Sequence, residues 1–174
     1  MCIRLYGSFY VSNRFVCMII IKDNVFGTEQ MSELDYLRAQ GRVPEYQEYF
    51  NKEQNWDLSW LCDRLLEEAS TKLEFKYDFY EFWPHSNTRP LGWHYDKDEK
   101  VSDAGLDDVY PQCSIVFYPF KDDKLVGGHL KFKNGLSIPP ERNRVVIFSP
   151  GLLHTVQPFR GKRLSYNINP WLEE

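Results

Sequence analysis

The spacing of hydrophobic residues changes character near residue 72. Before that point, apolar positions recur at the three- and four-residue intervals that place side chains on one face of a helix. This spacing predicts two amphipathic helices, over residues 28–40 and 57–70. Asn55 or Asp57 is the predicted N-cap of the second helix, because short polar side chains are preferred there.

The rest of the chain has the pattern of strands and turns. An apolar run over residues 15–21 predicts a buried strand, whereas residues 41–55 have no clear period and predict a loop. After residue 72, short apolar segments alternate with turn residues. The predicted strands cover residues 73–83, 91–97, 113–120, 128–133, 136–138, 144–149, 153–158 and 163–169. This pattern favours a mainly β (α+β) fold, a barrel or jelly roll with the helices packed outside it.

The chain has no internal repeat, low-complexity tract or linker that would divide it. We therefore predict a single domain over residues 1–174. Within it, residues 1–72 would form an N-terminal strand and supporting helices, and residues 73–171 the β core. Because a strand begins cleanly at Met18, residues 1–17 are interpreted either as an added strand or as a dispensable extension.

Composition narrows the possible partners. The 16% aromatic content favours a β-rich interior, and a net charge of −4 without a block of basic residues argues against nucleic-acid binding. The longest apolar run, seven residues, is too short to span a membrane, and the signal-peptide pattern is weak. The four cysteines form no Cys-x-x-Cys pair, so free thiols and a cytoplasmic location are expected.

The candidate chemistry begins with His94 and Asp96. These residues are two positions apart on one predicted strand, so their side chains project to the same side. His154 follows sixty residues after His94. Two imidazoles and one carboxylate, without cysteine, are the ligands expected at a non-haem Fe(II) centre with open coordination positions. This set predicts an oxygen-activating enzyme.

The last predicted strand carries a row of polar side chains on one face, at Arg163, Ser165, Asn167 and Asn169. The opposite face of the same strand is largely apolar. Polar groups inside a barrel need water or a polar ligand as hydrogen-bond partners. We therefore expect this row to line the lumen of the barrel.

Several motifs occur in a fixed order: GWHYDKDE, CSIVFYPF, GGHLKF, RNRVVIFSPGLLHTVQPF and GKRLSYNINPW. In these motifs the chain resembles the Fe(II)/2-oxoglutarate-dependent dioxygenases, and within them the prolyl 4-hydroxylase-like group. The resemblance covers roughly residues 73–171. It implies a double-stranded β-helix, the jelly-roll barrel of cupin-like proteins, with flanking N-terminal helices.

The resemblance also implies roles for particular residues. The iron ligands would be His94, Asp96 and His154. The 2-oxoglutarate-binding residues would be Arg163, Ser165 and Tyr118. Asn167, which shares their lumen-facing row, is a further candidate for contact with the cosubstrate, and the alternative for Asn167 and Asn169 is that they stabilise the end of the barrel. Arg163 would pair with the distal carboxylate of 2-oxoglutarate, as a planar guanidinium is suited to do. The implied reaction consumes O2, releases succinate and CO2, and hydroxylates an unactivated C–H bond.

Alternatives remain for several residues. His129 competes with His154 as the second imidazole, but only His154 stands at the expected distance before Arg163. Tyr118 is equally well explained as a core residue, and His85 as an ordinary loop histidine. Arg160 and Lys162 are expected to be solvated, and Trp93 and Trp171 to serve core or rim packing. Residues 97–111, an acidic stretch, predict either a solvated loop or a lid over the iron that attracts a basic substrate.

The sequence leaves the substrate and the oligomeric state open. A prolyl or peptidyl hydroxylase is the nearest description by resemblance, and a hydroxylase of a small, amino-acid-like molecule is the main alternative. A metal-dependent isomerase or a non-catalytic cupin-type binding module is the alternative from another class. Neither of these requires an Arg-x-Ser pair facing the lumen, which is the feature that separates them.

Overall fold

The computed structural model describes residues 4–7, 18–87 and 89–173, with residues 4–7 and Asn87 described by their backbone alone. The described strands are β1 (Arg4–Gly7), β2 (Met18–Asp23), β3 (Glu48–Asn51), β4 (Phe79–Asn87), β5 (Leu91–His94), β6 (Ser114–Tyr118), β7 (Val126–Gly127), β8 (Leu130–Phe132), β9 (Ser137–Ile138), β10 (Arg144–Phe148), β11 (His154–Val156), β12 (Phe159–Arg160) and β13 (Arg163–Trp171). The described helices are α1 (Thr28–Ala39), α2 (Ser59–Leu73) and α3 (Glu99–Asp103).

Two antiparallel sheets organise these elements. The larger has seven strands in the order β1-β2-β10-β6-β13-β4-β3, and the smaller has four in the order β5-β11-β8-β9. The short strands β12 and β7 form a separate pair. Because chain neighbours are distributed between the two sheets, the predicted strands build a layered β structure rather than one open sheet.

The outer face of the seven-stranded sheet packs against α1 and α2. The hydrophobic core on this side includes Leu34, Leu37, Leu61, Leu65, Ile115, Phe117, Tyr166 and Ile168. The apolar residues predicted along each helix are among those that the sheet buries. Burial of this apolar surface is the main favourable term that holds the helices on the sheet.

The inner face of the same sheet faces the four-stranded sheet. A second core between them includes Ile19, Val116, Tyr118, Leu130, Phe132 and Phe148. Successive residues of β6 alternate between the two cores, as the two-residue period of a strand requires. We call the space between the two sheets the lumen.

The helix predictions are confirmed in position, but the cap prediction is wrong. Helix α1 covers nearly the predicted range, and α2 is shifted by two to three residues toward the C-terminus. The N-cap of α2 is Leu58, whose side chain makes no capping hydrogen bond. Asp57 instead accepts a hydrogen bond from Nε of Arg42, at 2.7 Å, so its carboxylate is engaged in an ion pair.

Two predicted loops contain regular structure. Residues 41–55 include β3, which pairs with β4 at the edge of the large sheet. Residues 97–111 include α3, whose N-cap Asp98 accepts hydrogen bonds from two backbone N–H groups of the helix. Within residues 1–17, β1 pairs with β2, and the other residues of that segment lie outside the described part of the chain.

Two further predictions concern thiols and the membrane. Cys62 and Cys113 are buried free thiols, and burial raises the pKa of both well above the ordinary value. Cys2 and Cys17 lie outside the described residues. Among the helices of the described ranges, none combines the length and the apolar character needed to cross a membrane.

Candidate active site

Two histidines lie directly opposite each other in the small sheet. Strand β5 ends at His94 and β11 begins at His154, and the register of the two antiparallel strands pairs these residues. Their ring centroids are 4.2 Å apart. The sixty-residue separation in the sequence is thus closed by a single strand pairing.

Asp96 completes the group from just beyond the end of β5. Its Oδ1 lies 3.7 Å from Nε2 of His94 and 3.6 Å from Nε2 of His154. The potential ligand atoms of the three residues all lie within 4.8 Å of one another. The predicted strand 91–97 is therefore too long, since β5 stops at His94, but the predicted neighbourhood of the three side chains is observed.

The backbone orients both imidazoles toward this point. Nδ1 of His94 lies 2.8 Å from the carbonyl oxygen of Gly92, and Nδ1 of His154 lies 2.8 Å from that of Leu152. Each Nδ1–H can donate to its carbonyl, which leaves the lone pair of Nε2 directed at the shared space. The two histidines are thereby held in the tautomer that metal ligands use.

The surroundings of His154 also favour the ligand form. Its side chain is buried and packs against Phe148, with ring centroids 5.0 Å apart in an edge-to-face arrangement. Burial lowers the pKa of His154, since removal from water disfavours the charged imidazolium. Two imidazoles and one carboxylate fit Fe(II), because they occupy only part of its coordination sphere.

Arg163, the first residue of β13, is almost completely buried in the lumen. Its Nε donates to the carbonyl oxygen of Gly128 at 3.0 Å. Its two terminal nitrogens donate to Oγ of Ser165 and to the hydroxyl of Tyr118, both at 3.2 Å. Among the carboxylates of the described residues, none forms an ion pair with this guanidinium. A buried cation without an anion is costly, so the arrangement calls for an anionic ligand.

Gly128 is a site residue that the sequence reasoning missed. Its φ of 71° lies in the left-handed region, and a Cβ placed there would lie 3.1 Å from Cδ of Arg163. The missing side chain lets the Arg163 stem pass close to the backbone and reach the Gly128 carbonyl. The adjacent Gly127-Gly128 pair was the available signal, because paired glycines before a strand often mark a close approach.

The Arg163 group and the three-residue cluster border the same inner core. Tyr118 belongs to that core and is fully buried, as are Phe132 and Phe148, which contact the ring of His154. Burial raises the pKa of Tyr118, although the neighbouring Arg163 acts in the opposite direction. The hydroxyl of Tyr118 therefore stays protonated at neutral pH and can donate a hydrogen bond. One lumen thus presents a metal-type donor set and an anion-binding group.

The family model described as the 2OG-Fe(II) oxygenase superfamily matches residues 79–172, more than half of the chain. The chain belongs to the 2OG-Fe(II) oxygenase superfamily. It is accordingly an oxygenase that uses Fe(II) and 2-oxoglutarate, and the predictions of the family, the enzyme class and the cofactors are confirmed. No curated protein matched the chain.

Solved structures agree in fold. A Pseudomonas putida prolyl-4-hydroxylase superposes with a TM-score of 0.63 at 16% identity, covering 90% of this chain and 93% of the other. The 2-oxoglutarate complex of a viral collagen prolyl hydroxylase from Paramecium Bursaria Chlorella virus-1 gives 0.59 at 16% identity, covering 87% and 94%. A Trichoplax adhaerens prolyl hydroxylase bound to a hypoxia inducible factor peptide fragment gives 0.57 at 14%, covering 88% and 83%. The predicted double-stranded β-helix is confirmed.

The polar row on β13 of this oxygenase lies on the inner face as predicted. Ser165 and Asn169 are buried, and Leu164, Tyr166 and Ile168 belong to the outer core. Asn167 is half-buried, and its Oδ1 has no hydrogen-bond partner within the described structure. None of the described hydrogen bonds brings Asn167 into the Arg163 group.

Strand β4 of the oxygenase adds polar residues that the sequence reasoning did not place there. The prediction that His85 lies on a loop is wrong. His85 is buried on β4, opposite Ser165. Glu81 is buried on the same face, opposite Asn169. The alternating residues of the segment 73–83 pointed to a strand, but its continuation through Pro84 was not expected.

The rival candidates lie outside the cluster. Nδ1 of His129 is 3.1 Å from Oγ of Ser137, and His129 is not one of the grouped metal-type ligands. Arg160 and Lys162 are exposed, as expected. Trp171 is buried, and Trp93 is exposed with Nζ of Lys133 5.4 Å from its ring centre, which agrees with core and rim packing respectively.

The acidic stretch after Asp96 is partly neutralised within itself. Nζ of Lys97 donates to Oδ1 of Asp108 at 2.8 Å, and Ser102 donates to the same oxygen at 2.9 Å. These hydrogen bonds lower the pKa of Asp108. Asp108 is therefore not a free acid for a basic substrate, and the predicted lid remains a prediction.

Proposed function

We propose that this oxygenase is a prolyl-hydroxylase-like dioxygenase that hydroxylates an unactivated C–H bond of a peptide. In this proposal Fe(II) is held by Nε2 of His94, Nε2 of His154 and the carboxylate of Asp96. The bound metal would supply the redox chemistry with O2, coupled to the conversion of 2-oxoglutarate to succinate and CO2. The free thiols of Cys62 and Cys113 support a cytoplasmic location for the reaction.

One observation carries the cosubstrate assignment. The Arg163 guanidinium is 3% exposed, has no carboxylate partner in the described ranges, and is fixed by Gly128, Ser165 and Tyr118. A distal carboxylate of 2-oxoglutarate would neutralise it with charge-assisted hydrogen bonds. Ser165 and Tyr118 would add two hydroxyl donors to the same carboxylate. Asn167 is assigned a weaker role, as a polar lumen residue beside this group.

The protein residues also control orientation and water. The backbone carbonyls of Gly92 and Leu152 hold the imidazoles by their Nδ1 atoms. Phe132 and Phe148 pack against His154 and keep that side of the site apolar. His94 is the most exposed of the three ligands, with 29% of its side chain accessible against 13% for Asp96 and 4% for His154.

Exposed aromatic side chains next to His94 in the chain support a peptide substrate. Trp93 and Tyr95 flank His94 and are 47% and 39% exposed. Aromatic surfaces bind the flat faces of extended or proline-containing peptides. The Trichoplax relative in fold was solved with a bound peptide, which agrees with this proposal. The following experiment distinguishes a peptide substrate from the small, amino-acid-like substrate predicted as the alternative.

The test measures succinate together with hydroxylated product. The protein loaded with Fe(II) and 2-oxoglutarate is incubated in air with proline-containing peptides and, separately, with free amino acids. Succinate formation that depends on the added compound, with a mass gain of one oxygen atom in a peptide, supports the proposal. A mass gain only in a free amino acid supports the small-molecule alternative. Absence of succinate, including from uncoupled turnover, contradicts both.

The matched controls are two histidine variants. His154→Ala should abolish succinate formation, because one of three metal ligands is lost. His129→Ala should leave it within about twofold, since this histidine stands outside the cluster. Equal loss in both variants would show that folding rather than metal binding was affected.

A further inference from the structure

Glu81 is a buried carboxylate on the inner face of the large sheet, and the Fe(II) and 2-oxoglutarate sites leave it without a role. It is 5% exposed and lies on β4 opposite Asn169 of β13. A carboxylate is among the side chains least often buried without a charged partner. Its position therefore requires an explanation in terms of what it binds.

Two neutral amides hold the Glu81 carboxylate in place. Nε2 of Gln47 donates to its Oε1 at 2.6 Å, and Nδ2 of Asn169 donates to its Oε2 at 3.3 Å. Gln47 also donates to the hydroxyl of Tyr49 at 2.8 Å, which ties that ring to the same group. A hydrogen bond from Trp171 also acts on this carboxyl and lowers its pKa. All these donors are neutral, so they orient the carboxylate without supplying an opposite charge.

Glu81 is the counterpart of Arg163 on the same sheet face. Within the described ranges, neither a Lys, an Arg nor a His forms an ion pair with Glu81. Arg163 faces Asn87 at one end of the β13–β4 pairing, and Asn169 faces Glu81 six residues further along. At about 3.3 Å per residue, the backbone positions of these two pairs lie roughly 20 Å apart along the sheet. The distal carboxylate of 2-oxoglutarate would neutralise the buried cation of Arg163. The buried anion of Glu81 is then left for the primary substrate.

The side chains around Glu81 suit a cation. Tyr49 lies directly opposite Glu81 on β3, and Trp83 is the next residue on the same face of β4. Both rings are partly exposed, at 54% and 38%. Aromatic faces attract ammonium and guanidinium groups, especially beside a carboxylate. Oδ1 of the buried Asn169 has no hydrogen-bond partner in the described chain, and it is an acceptor for an N–H donor.

The electrostatics of Glu81 and Tyr49 also suit a cation. Burial raises the pKa of Glu81, whereas the hydrogen bonds from Asn169 and Trp171 lower it. The pKa of Tyr49 is raised by burial and by the neighbouring charge of Glu81. A cation bound between these two side chains would be attracted by the charge of Glu81.

We propose that the Glu81 cluster, formed by Gln47, Tyr49, Glu81, Trp83 and Asn169, binds a cationic nitrogen of the primary substrate. The ligand class is an ammonium or guanidinium group, and Glu81 is a specificity-determining residue. This inference rests on the proposed function, because it names the chemistry of the substrate for the same site. It adds a positive charge to a substrate that the metal and cosubstrate residues leave unspecified.

The first test changes only the ligand, so it does not depend on how a variant folds. Nα-acetyl-lysine methylamide is compared with its neutral counterpart Nα-acetyl-norleucine methylamide, and the arginine derivative with the citrulline derivative. Binding to the protein loaded with Fe(II) and 2-oxoglutarate is measured anaerobically by calorimetry. A charge-assisted contact should make the cation of at least one pair bind about tenfold or more tightly. Free lysine serves as a third ligand, to compare an α-ammonium with a side-chain ammonium.

The second test removes the charge with little change of shape. Glu81→Gln should reduce the preference for the cation to less than about twofold, while 2-oxoglutarate binding and uncoupled succinate formation persist. Glu48→Gln, an exposed glutamate on β3, is the matched control and should retain the preference. Tyr49→Leu should weaken cation binding by several-fold, and Tyr46→Leu should not.

The possible outcomes separate the two proposals. Equal binding of the charged and neutral members in both pairs overturns the inference, as does a cation preference that survives Glu81→Gln. If the unaltered protein neither binds 2-oxoglutarate nor forms succinate by uncoupled turnover, the proposed function is contradicted instead. If Glu81 serves only to stabilise the fold, its substitution changes stability without changing the ratio of cation to neutral binding.

Discussion

Arg163 and Glu81 are two buried residues of opposite charge on the inner face of the large sheet. Arg163 enters β13 as a buried cation fixed by three oxygen atoms, and Glu81 sits on the neighbouring strand as a buried anion fixed by two amides. Because burial makes each charge expensive, each has an energetic reason to meet a ligand of opposite sign. We propose that the dicarboxylate cosubstrate neutralises Arg163 and that a cationic group of the substrate neutralises Glu81.

Replacing Arg163 tests the geometry of the cosubstrate contact. Arg163→Lys keeps the positive charge but removes the planar fork and the bond to the Gly128 carbonyl. The Kd for 2-oxoglutarate should rise about 10- to 100-fold, because one or more charge-assisted hydrogen bonds are lost. Equilibrium titration with 2-oxoglutarate measures the change. Arg160→Lys, on exposed β12, should change the Kd less than about twofold, and an equal effect in both variants would contradict the assignment.

Glu81 also has a consequence for stability. Burial raises the pKa of this carboxyl above its ordinary value of 4.5, so the folded protein binds the proton more tightly than the unfolded chain. The stability that this group contributes is present below its unfolded pKa and is lost as the pH rises through its folded pKa. Glu81→Gln should therefore stabilise the ligand-free protein at pH 7, and the difference should vanish toward pH 4. Thermal unfolding at both pH values measures this, and lower stability of the variant at pH 7 would contradict the account.

At the scale of elements, β4 shows why its inner residues were not predicted. Pro84 within it argues against a central strand, because proline donates no ladder hydrogen bond. The structure accommodates it because β3 pairs with β4 only from Phe79 to Phe82, so Pro84 has a neighbouring strand on one side alone. The strand therefore continues past Pro84 and carries His85 to the lumen. Such tolerance depends on where another strand ends, which the local pattern does not contain.

Strand β3 and the start of α2 were missed for related reasons. Only Phe50 of the four β3 residues is buried, so the segment shows no alternation that would mark a strand. At α2, Asp57 has the residue type of an N-cap, but its carboxylate pairs with Arg42, fifteen residues earlier in the chain. Both features are set by contacts with distant partners rather than by neighbouring residues.

Asn143 provides a test at the level of connections between elements. Its φ of 62° is left-handed, its Oδ1 accepts from the N–H of Phe26 at 3.0 Å, and its Nδ2 donates to the Phe26 carbonyl at 2.8 Å. These buried bonds tie the chain before α1 to the start of β10. Asn143→Ala should lower the free energy of unfolding by about 2–4 kcal/mol, through two lost bonds and a strained backbone.

Urea unfolding measures this change, and Asn134 supplies the control. Asn134 lies in an exposed turn where its Oδ1 accepts from the N–H of Leu136. Asn134→Ala should cost less than about 1 kcal/mol, because the freed N–H can be solvated. A cost for Asn143→Ala no larger than that of Asn134→Ala would contradict the anchoring role.

In the whole molecule, one face of the seven-stranded sheet packs on the helices and stabilises the fold, and the other face carries residues of the site. Its outer face packs on the helices, and its inner face shares the lumen with the small sheet. Alternation along β6 and β13 supplies side chains to both faces, which is why the strand pattern predicted the barrel and the polar row. The helices were predicted from their own spacing of apolar residues. The prediction of one domain over residues 1–174 remains a prediction, and the shared sheet is consistent with it.

The parts of the site that the sequence predicted are those with a local signature. Arg163 and Ser165 stand two residues apart on β13, so their common direction follows from strand geometry. His94 and Asp96 have the same spacing, but Asp96 lies just beyond the end of β5. The roles of Gly128 and Glu81 depend on the register between strands that are far apart in the chain. Without the pairing of β13 with β4, nothing in the sequence connects Glu81 with Asn169.

The visible spectrum tests most directly whether one lumen holds Fe(II) and 2-oxoglutarate through His94, Asp96, His154 and Arg163. Fe(II) and 2-oxoglutarate are added without oxygen, and the visible charge-transfer band of the chelate is recorded before oxygen is admitted and succinate measured. The account predicts a band and succinate in the unaltered protein, no band with His154→Ala, and a band that needs far more 2-oxoglutarate with Arg163→Ala. Absence of band and succinate in the unaltered protein, or a band that survives both substitutions together, would contradict it.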